Sequence, residues 1–262
     1  MPRFAANLSM LFTERPFLER FAAAAEAGFE GVEFLFPYDH EMADLVAARD
    51  AAGVEQVLHN LPPGDWEAGE RGIAILPDRV EEFRDGVETA LRYASVLGCR
   101  QLNCLAGITP EDADPLELEA TFVANLRYAA ERLGEVGIRL LIEPINTRDM
   151  PGFYLSTSAQ ALAVMDAVGS DNLFLQYDIY HMQVMEGDIA ARLGALLPRI
   201  AHVQFADTPG RHEPGTGELN FPFLFAYLDR IGYAGWASAE YRPRGGTDES
   251  LAWLAAARAG SP

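Results

Sequence analysis

Short apolar runs alternate with longer amphipathic stretches along the whole 262-residue chain. The runs fall near 4–9, 31–36, 55–61, 101–105, 140–145, 173–179, 201–205 and 236–241. Each is short, apolar and closed by polar residues, as in the buried strands of a parallel sheet. Helical patterns lie near 15–27, 41–52, 79–97, 116–136, 158–168, 188–197, 221–231 and 248–258. Several of these end at glycine, as a helix C-cap does: Gly28, Gly53, Gly98, Gly137 and Gly232. Eight alternations of strand and helix predict an α/β fold, a (β/α)8 TIM barrel forming a single domain over 1–262. A doubly wound open sheet is the competing architecture. It usually has fewer strands, and no glycine-rich nucleotide loop follows the first strand here.

In such a barrel the chemistry sits at the C-terminal ends of the strands. Polar residues that interrupt apolar runs there are therefore informative. Strand five reads LLIEPIN and places Glu143 in an apolar run. Strand six, LFLQYDIYH, offers Asp178 and then His181. Strand seven, AHVQFAD, offers Gln204, and strand eight, WASAEYRP, offers Glu240. A carboxylate in an apolar strand is costly to bury unless it is paired or bound to metal. Three together repel one another, so a divalent cation is the simplest common partner. Oxygen ligands favour Mg2+ or Mn2+ over zinc. The alternative is that each carboxylate has its own arginine.

Charge narrows the range of partners. The chain carries 39 acidic and 20 basic residues, for a net charge of −19. That opposes loose attraction to nucleic acid or anionic membranes. Lysine is scarce. The longest apolar runs are far short of a membrane span, and the N-terminus reads as a first strand rather than a signal peptide. Cys99 and Cys104 match no zinc or disulfide pattern and read as reduced core thiols, so a cytoplasmic protein is expected.

The stretches FAANLSMLF, GVEFLFPYD, LHNLPPGDWEAGERGIA, LLIEPIN, QYDIYHMQ and EPGTGELN resemble those of hydroxypyruvate isomerases. These belong to the xylose-isomerase-like barrel superfamily, with sugar epimerases and endonuclease IV. The resemblance covers nearly the whole chain. It implies that Glu143, Asp178, Gln204 and Glu240 are the metal ligands, and that Glu143 and Glu240 are also the catalytic acid/base pair. Related ketose epimerases have His where this chain has Gln204, which fits the hydroxypyruvate isomerase branch. The chemistry implied is proton removal beside a carbonyl, an enediolate, and proton return to the neighbouring carbon.

Four further residues are expected to bind substrate. His181 lies just past strand six, placed to hydrogen-bond a substrate oxygen. His59 precedes Asn60 at the end of strand three, where either one can face the pocket. Arg71 lies on the long loop after strand three, with Trp66, and Arg211 on the loop after strand seven. An oxo or hydroxy acid needs a cation, and these arginines are the best placed, Arg71 ranking first because its loop can act as a lid. Asn7, Glu33 and Asn103 also mark strand ends, in either a structural or a functional role. The leading expectation is an isomerase of hydroxypyruvate. A four-carbon 2-oxo-tetronate isomerase comes next, since one carbon changes only pocket depth. An endonuclease IV-like enzyme would need many histidine ligands, and the chain has five histidines. A non-catalytic sugar-acid binding protein would be expected to lack one of the four ligands. A homo-oligomer is left open.

Overall fold

The computed structural model describes residues 2–259. Eight parallel strands close into a barrel in sequence order, and the last pairs with the first. They are β1 (Arg3–Asn7), β2 (Gly31–Glu33), β3 (Glu55–Asn60), β4 (Gln101–Cys104), β5 (Arg139–Ile142), β6 (Leu173–Asp178), β7 (Ile200–Phe205) and β8 (Trp236–Ala239). The helices are α1 (Arg20–Glu26), α2 (Met42–Ala52), α3 (Val80–Leu97), α4 (Pro115–Gly134), α5 (Ser158–Val168), α6 (Ile179–Met185), α7 (Ile189–Leu196), α8 (Phe221–Arg230) and α9 (Ala252–Arg258).

Local chemistry sets the helix ends. Asp114, Thr157 and Asn220 accept a backbone N–H from the first turns of α4, α5 and α8, which satisfies donors that have no intrahelical partner. Gly53 and Gly98 end α2 and α3 in the left-handed conformation, at φ 68° and 61°. The barrel packs on the helices through apolar contacts. Phe4 and Phe205 from the barrel meet Phe225 of α8 and Trp253 of α9, with ring centroids 4.9–5.2 Å apart. Cys99 and Cys104 are buried and unpaired, and burial pushes the Cys99 thiol up to about 12. No helix among the described residues is long and apolar enough to cross a membrane.

Two sequence expectations need correction. β2 is a strand over Gly31–Glu33, not through residue 36. Its register with β3 shifts between Val32 and Glu33, and beyond it the Phe34 N–H to Leu58 O and Asn60 N–H to Leu35 O bonds continue the contact without regular pairing. An unexpected helix, α6, follows β6, and Asp178 caps it by accepting the Tyr180 N–H at 2.8 Å. Its seven residues are too few to display a helical period beside an apolar strand.

Candidate active site

Side chains alternate between the two faces of a strand, so the pairing register decides what faces inward at the mouth. Asn7 pairs with Glu33, Asn60 with Asn103, and Asp178 with Gln204. Glu143 lies two residues beyond Leu141, the partner of Asn103, and Glu240 two beyond Ser238, the partner of Gln204. One face thus collects Asn7, Glu33, Asn60, Asn103, Glu143, Asp178, Gln204 and Glu240, one from each strand or its immediate extension. All eight are buried. Above them opens a cavity of about 580 Å³ lined by Glu143, His181, Gln204, Arg211 and Glu240, with Trp66 and Arg71 from the loop after β3.

Hydrogen bonds tie this ring together. Asn103 Nδ2 donates to Asn60 Oδ1 (3.1 Å) and Glu143 Oε2 (3.3 Å). Asn7 Nδ2 donates to Glu240 Oε2 at 3.0 Å, and Gln204 Nε2 donates to the same oxygen. Arg211 Nη2 reaches Glu240 Oε1 at 2.5 Å and Asp178 Oδ2 at 3.5 Å. Among the described residues, this is the one guanidinium in salt-bridge contact with these acids.

One arginine does not neutralise three buried carboxyls. Burial, then the charges of Glu240 and Asp178, hold the Glu143 carboxyl well above the ordinary glutamate range. Burial pushes Glu240 up to about 8 and Asp178 up to about 6, although Arg211 pulls both down. The surplus negative charge and the oxygen donor set suit a hard divalent cation.

In the ion-free protein, between its ordinary value of 4.5 and the folded value of about 8, Glu240 holds a proton when folded that it has lost when unfolded. Its contribution to stability therefore falls as pH rises through this window. Glu240→Gln removes that contribution. In chelator-treated protein, the melting temperature of Glu240→Gln relative to the native chain should climb from about pH 5 to about pH 8.5. A flat difference would contradict the raised carboxyl.

Glu143, Asp178 and His181 also bring potential metal-ligand atoms within 4.8 Å of one another. The hydrogen bonds around His181 argue for a different role. Asn146 Oδ1 accepts the Asp149 N–H at 2.8 Å, so its Nδ2 faces His181 Nδ1, 2.6 Å away. Nδ1 is then an acceptor and Nε2 carries the proton. Nε2 lies 3.4 Å from Asp178 Oδ2 and 3.9 Å from Glu143 Oε1. Burial, with Arg211 nearby, holds the imidazole well below its ordinary value, hence neutral. A neutral ring with Nε2–H is a hydrogen-bond donor, not a ligand through that atom.

One expectation is revised. His59 does not face the cavity. The register turns Asn60 inward, and His59 stacks on Phe34 with ring planes at 10°. Its Nδ1 lies 3.2 Å from Asn60 O, and burial lowers the ring to about 4. Arg71 lines the cavity, but its Nη1 donates to Trp66 O (2.9 Å) and Glu70 O (2.7 Å), and it lies 4.0 Å over the Trp66 ring. Arg211, which the sequence ranked second, is the arginine aimed at the acids.

Asp207, just past β7, holds the Arg211 loop. Its carboxylate accepts the N–H groups of Thr208, Gly215, Gly217 and Leu219 at 2.9–3.1 Å. Arg211 itself has φ 58°, which is unfavourable for a side chain with a Cβ and persists only where the surroundings hold it. Asp207→Ala should leave several N–H groups unpaired and cost about 2–3 kcal/mol in denaturant unfolding. It should also weaken acid binding by releasing Arg211. Unchanged stability and KM would remove Asp207 from this role. Sequence reasoning missed Asp207, Asn146 and Gln176. Each is polar beside an apolar run. Asp207 is explained only by the fold of its own loop, while Asn146 meets His181 and Gln176 meets Gln204 only across neighbouring strands.

The profile of the xylose isomerase-like TIM barrel family matches residues 21–257, and the chain belongs to that family. A 2-oxo-tetronate isomerase from Cupriavidus necator is 52% identical over 254 residues, covering 97% of this chain and 98% of that protein. A hydroxypyruvate isomerase from Escherichia coli has the same identity and coverage. A crystal structure titled as an AP endonuclease, family 2, from Brucella melitensis superposes with a TM-score of 0.95. It is 50% identical, covering 97% of this chain and 98% of that one. By this kinship the chain is an isomerase.

Proposed function

We propose that the protein interconverts hydroxypyruvate and tartronate semialdehyde, with Glu143 and Glu240 as its acid/base pair. The observation that carries this reading is the meeting of Glu143, Glu240 and Arg211 in a single cavity, with burial shifting both glutamates upward. A carboxyl raised by burial keeps its proton near neutral pH and can act as an acid, while its ionised counterpart acts as a base. One takes the C3 proton of hydroxypyruvate as the electrons move to the carbonyl oxygen and the enediolate forms. The other returns a proton at C2, and the C3 hydroxyl proton passes to O2, so that C3 becomes the aldehyde and C2 carries the hydroxyl. Each glutamate has one oxygen held by amides, which orients the other. Glu240 Oε2 accepts from Asn7 and Gln204, leaving Oε1 toward Arg211.

Glu143, Asp178, Gln204 and Glu240 would hold the divalent cation, Mg2+ or Mn2+. When bound, that ion supplies positive charge against the enediolate oxygens. His181 Nε2–H donates to a substrate oxygen. Arg211 pairs with the substrate carboxylate, and Arg71 closes over it on the Trp66 loop. The unpaired cysteines fit a reducing, cytoplasmic setting. The Brucella relative is named an endonuclease, but a net charge of −19 and, among the described residues, a single histidine lining the cavity favour a small acid over DNA.

A four-carbon 2-oxo-tetronate is the second reading, favoured by the equal 52% identity to relatives of both names. The test is turnover of both acids by chelator-stripped protein, with and without Mg2+ or Mn2+. Ion-stimulated isomerisation is expected, and the higher kcat/KM selects the acid. No turnover of either would reject the proposal.

A further inference from the structure

Glu33 is fully buried, yet it lies outside the lining of the cavity. Its Oε1 accepts from Asn7 Nδ2 at 3.0 Å and from Gln204 Nε2 at 2.7 Å. Those same two nitrogens donate to Glu240 Oε2. Each amide NH2 therefore spends its two hydrogens on two carboxylates, one behind the ring and one in the cavity. The amide orientations are fixed from their oxygen ends as well. Asn7 Oδ1 accepts the Ser9 N–H at 3.0 Å, and Gln204 Oε1 accepts Gln176 Nε2 at 2.7 Å. From behind, Glu33 Oε2 accepts from His202 Nε2 at 2.7 Å, and His202 Nδ1 accepts from Gln101 Nε2 at 3.2 Å. This chain of contacts joins β1, β2, β4, β6, β7 and the end of β8.

We propose that Glu33 is a positioning residue. It holds the Asn7 and Gln204 amides so that Glu240 presents Oε1 to the substrate, and so that Gln204 keeps Nε2 on the two carboxylates while Oε1, which accepts from Gln176 Nε2, retains its second lone pair for a ligand role. An amide offers an oxygen at one end and a cation-repelling NH2 at the other, so its orientation decides whether Gln204 can ligate at all. Without an acceptor at Glu33, both NH2 groups lose a partner and the amides are free to turn. This inference rests on the proposed isomerase site.

The test compares Glu33→Leu, which deletes the acceptor, with Glu33→Gln, which retains one oxygen and lets His202 reverse its tautomer. The readouts are kcat, KM and binding of Mn2+ alone by electron paramagnetic resonance, with circular dichroism to establish folding. Loss of a supporting partner of this kind typically costs about 10–100-fold in affinity or activity. Glu33→Leu is expected to lower kcat and Mn2+ affinity by about that factor, with KM within about threefold. Glu33→Gln is expected to recover most of both. A folded Glu33→Leu with native kcat and Mn2+ affinity would overturn the proposal, and so would a Glu33→Gln as impaired as Glu33→Leu. If Glu33→Leu does not fold, His202→Leu removes the rear support from outside the cavity. It should lower kcat about tenfold without moving KM, and an unchanged kcat would overturn the idea. A native chain that turns over substrate yet binds no Mn2+ would refute the metal reading alone, leaving the kcat comparison to judge Glu33.

Discussion

Glu143→Gln and Glu240→Gln are each expected to lose isomerase turnover by about 10²–10⁴-fold while keeping the fold. The amide preserves volume and one oxygen. It can still accept from Asn103 in the first case, and from Asn7 and Gln204 in the second. It cannot carry a proton between adjacent carbons. Thermal melting should show no collapse, because the buried carboxyls are a liability to the ion-free fold. Steady-state kinetics on the acid would check the loss. Near-native turnover in either variant would reduce that residue to a ligand or a bystander.

Arg211→Ala should raise the KM for the acid by about 10–100-fold, from loss of a charge-assisted contact of roughly 1.5–3 kcal/mol. A substrate carboxylate entering beside Glu143, Asp178 and Glu240 meets strong repulsion. The chain has no lysine, so arginine must offset it. Arg211 keeps 14% of its side chain exposed and already faces the buried Glu240 and Asp178, so its charge acts in a medium that screens poorly. Arg71 is bound to backbone carbonyls and to the Trp66 ring. Arg71→Ala should therefore have the smaller effect, through the loop rather than through direct pairing. Equal, native KM values in both single variants and the double variant would place acid recognition on the cation or on backbone amides.

The barrel was legible because its apolar runs and helical periods recur eight times, and glycine C-caps punctuate them. Strand limits were less so, since where a strand leaves the ladder depends on its neighbours. Glu143 and Glu240 lie one residue past the paired parts of β5 and β8. Glu143, Asp178, Gln204 and Glu240 stood out because a charged or amide side chain in an apolar run is costly without a partner. The choice between His59 and Asn60 needed the pairing register, which turns on a single residue. The choice between Arg71 and Arg211 needed the loop held by Asp207. Glu33 was visible as a polar strand end, but its partners His202 and Gln204 lie about 170 residues away and meet it only in the closed barrel.

The most direct test is a crystal of the native chain soaked with Mn2+ and hydroxypyruvate and measured at the manganese edge. One anomalous peak is predicted at the barrel mouth, with oxygens of Glu143, Asp178, Gln204 and Glu240 at about 2.0–2.3 Å. Arg211 should then lie on the substrate carboxylate instead of on Glu240. No peak at saturating Mn2+, with Arg211 still paired to Glu240 and Asp178, would contradict the account.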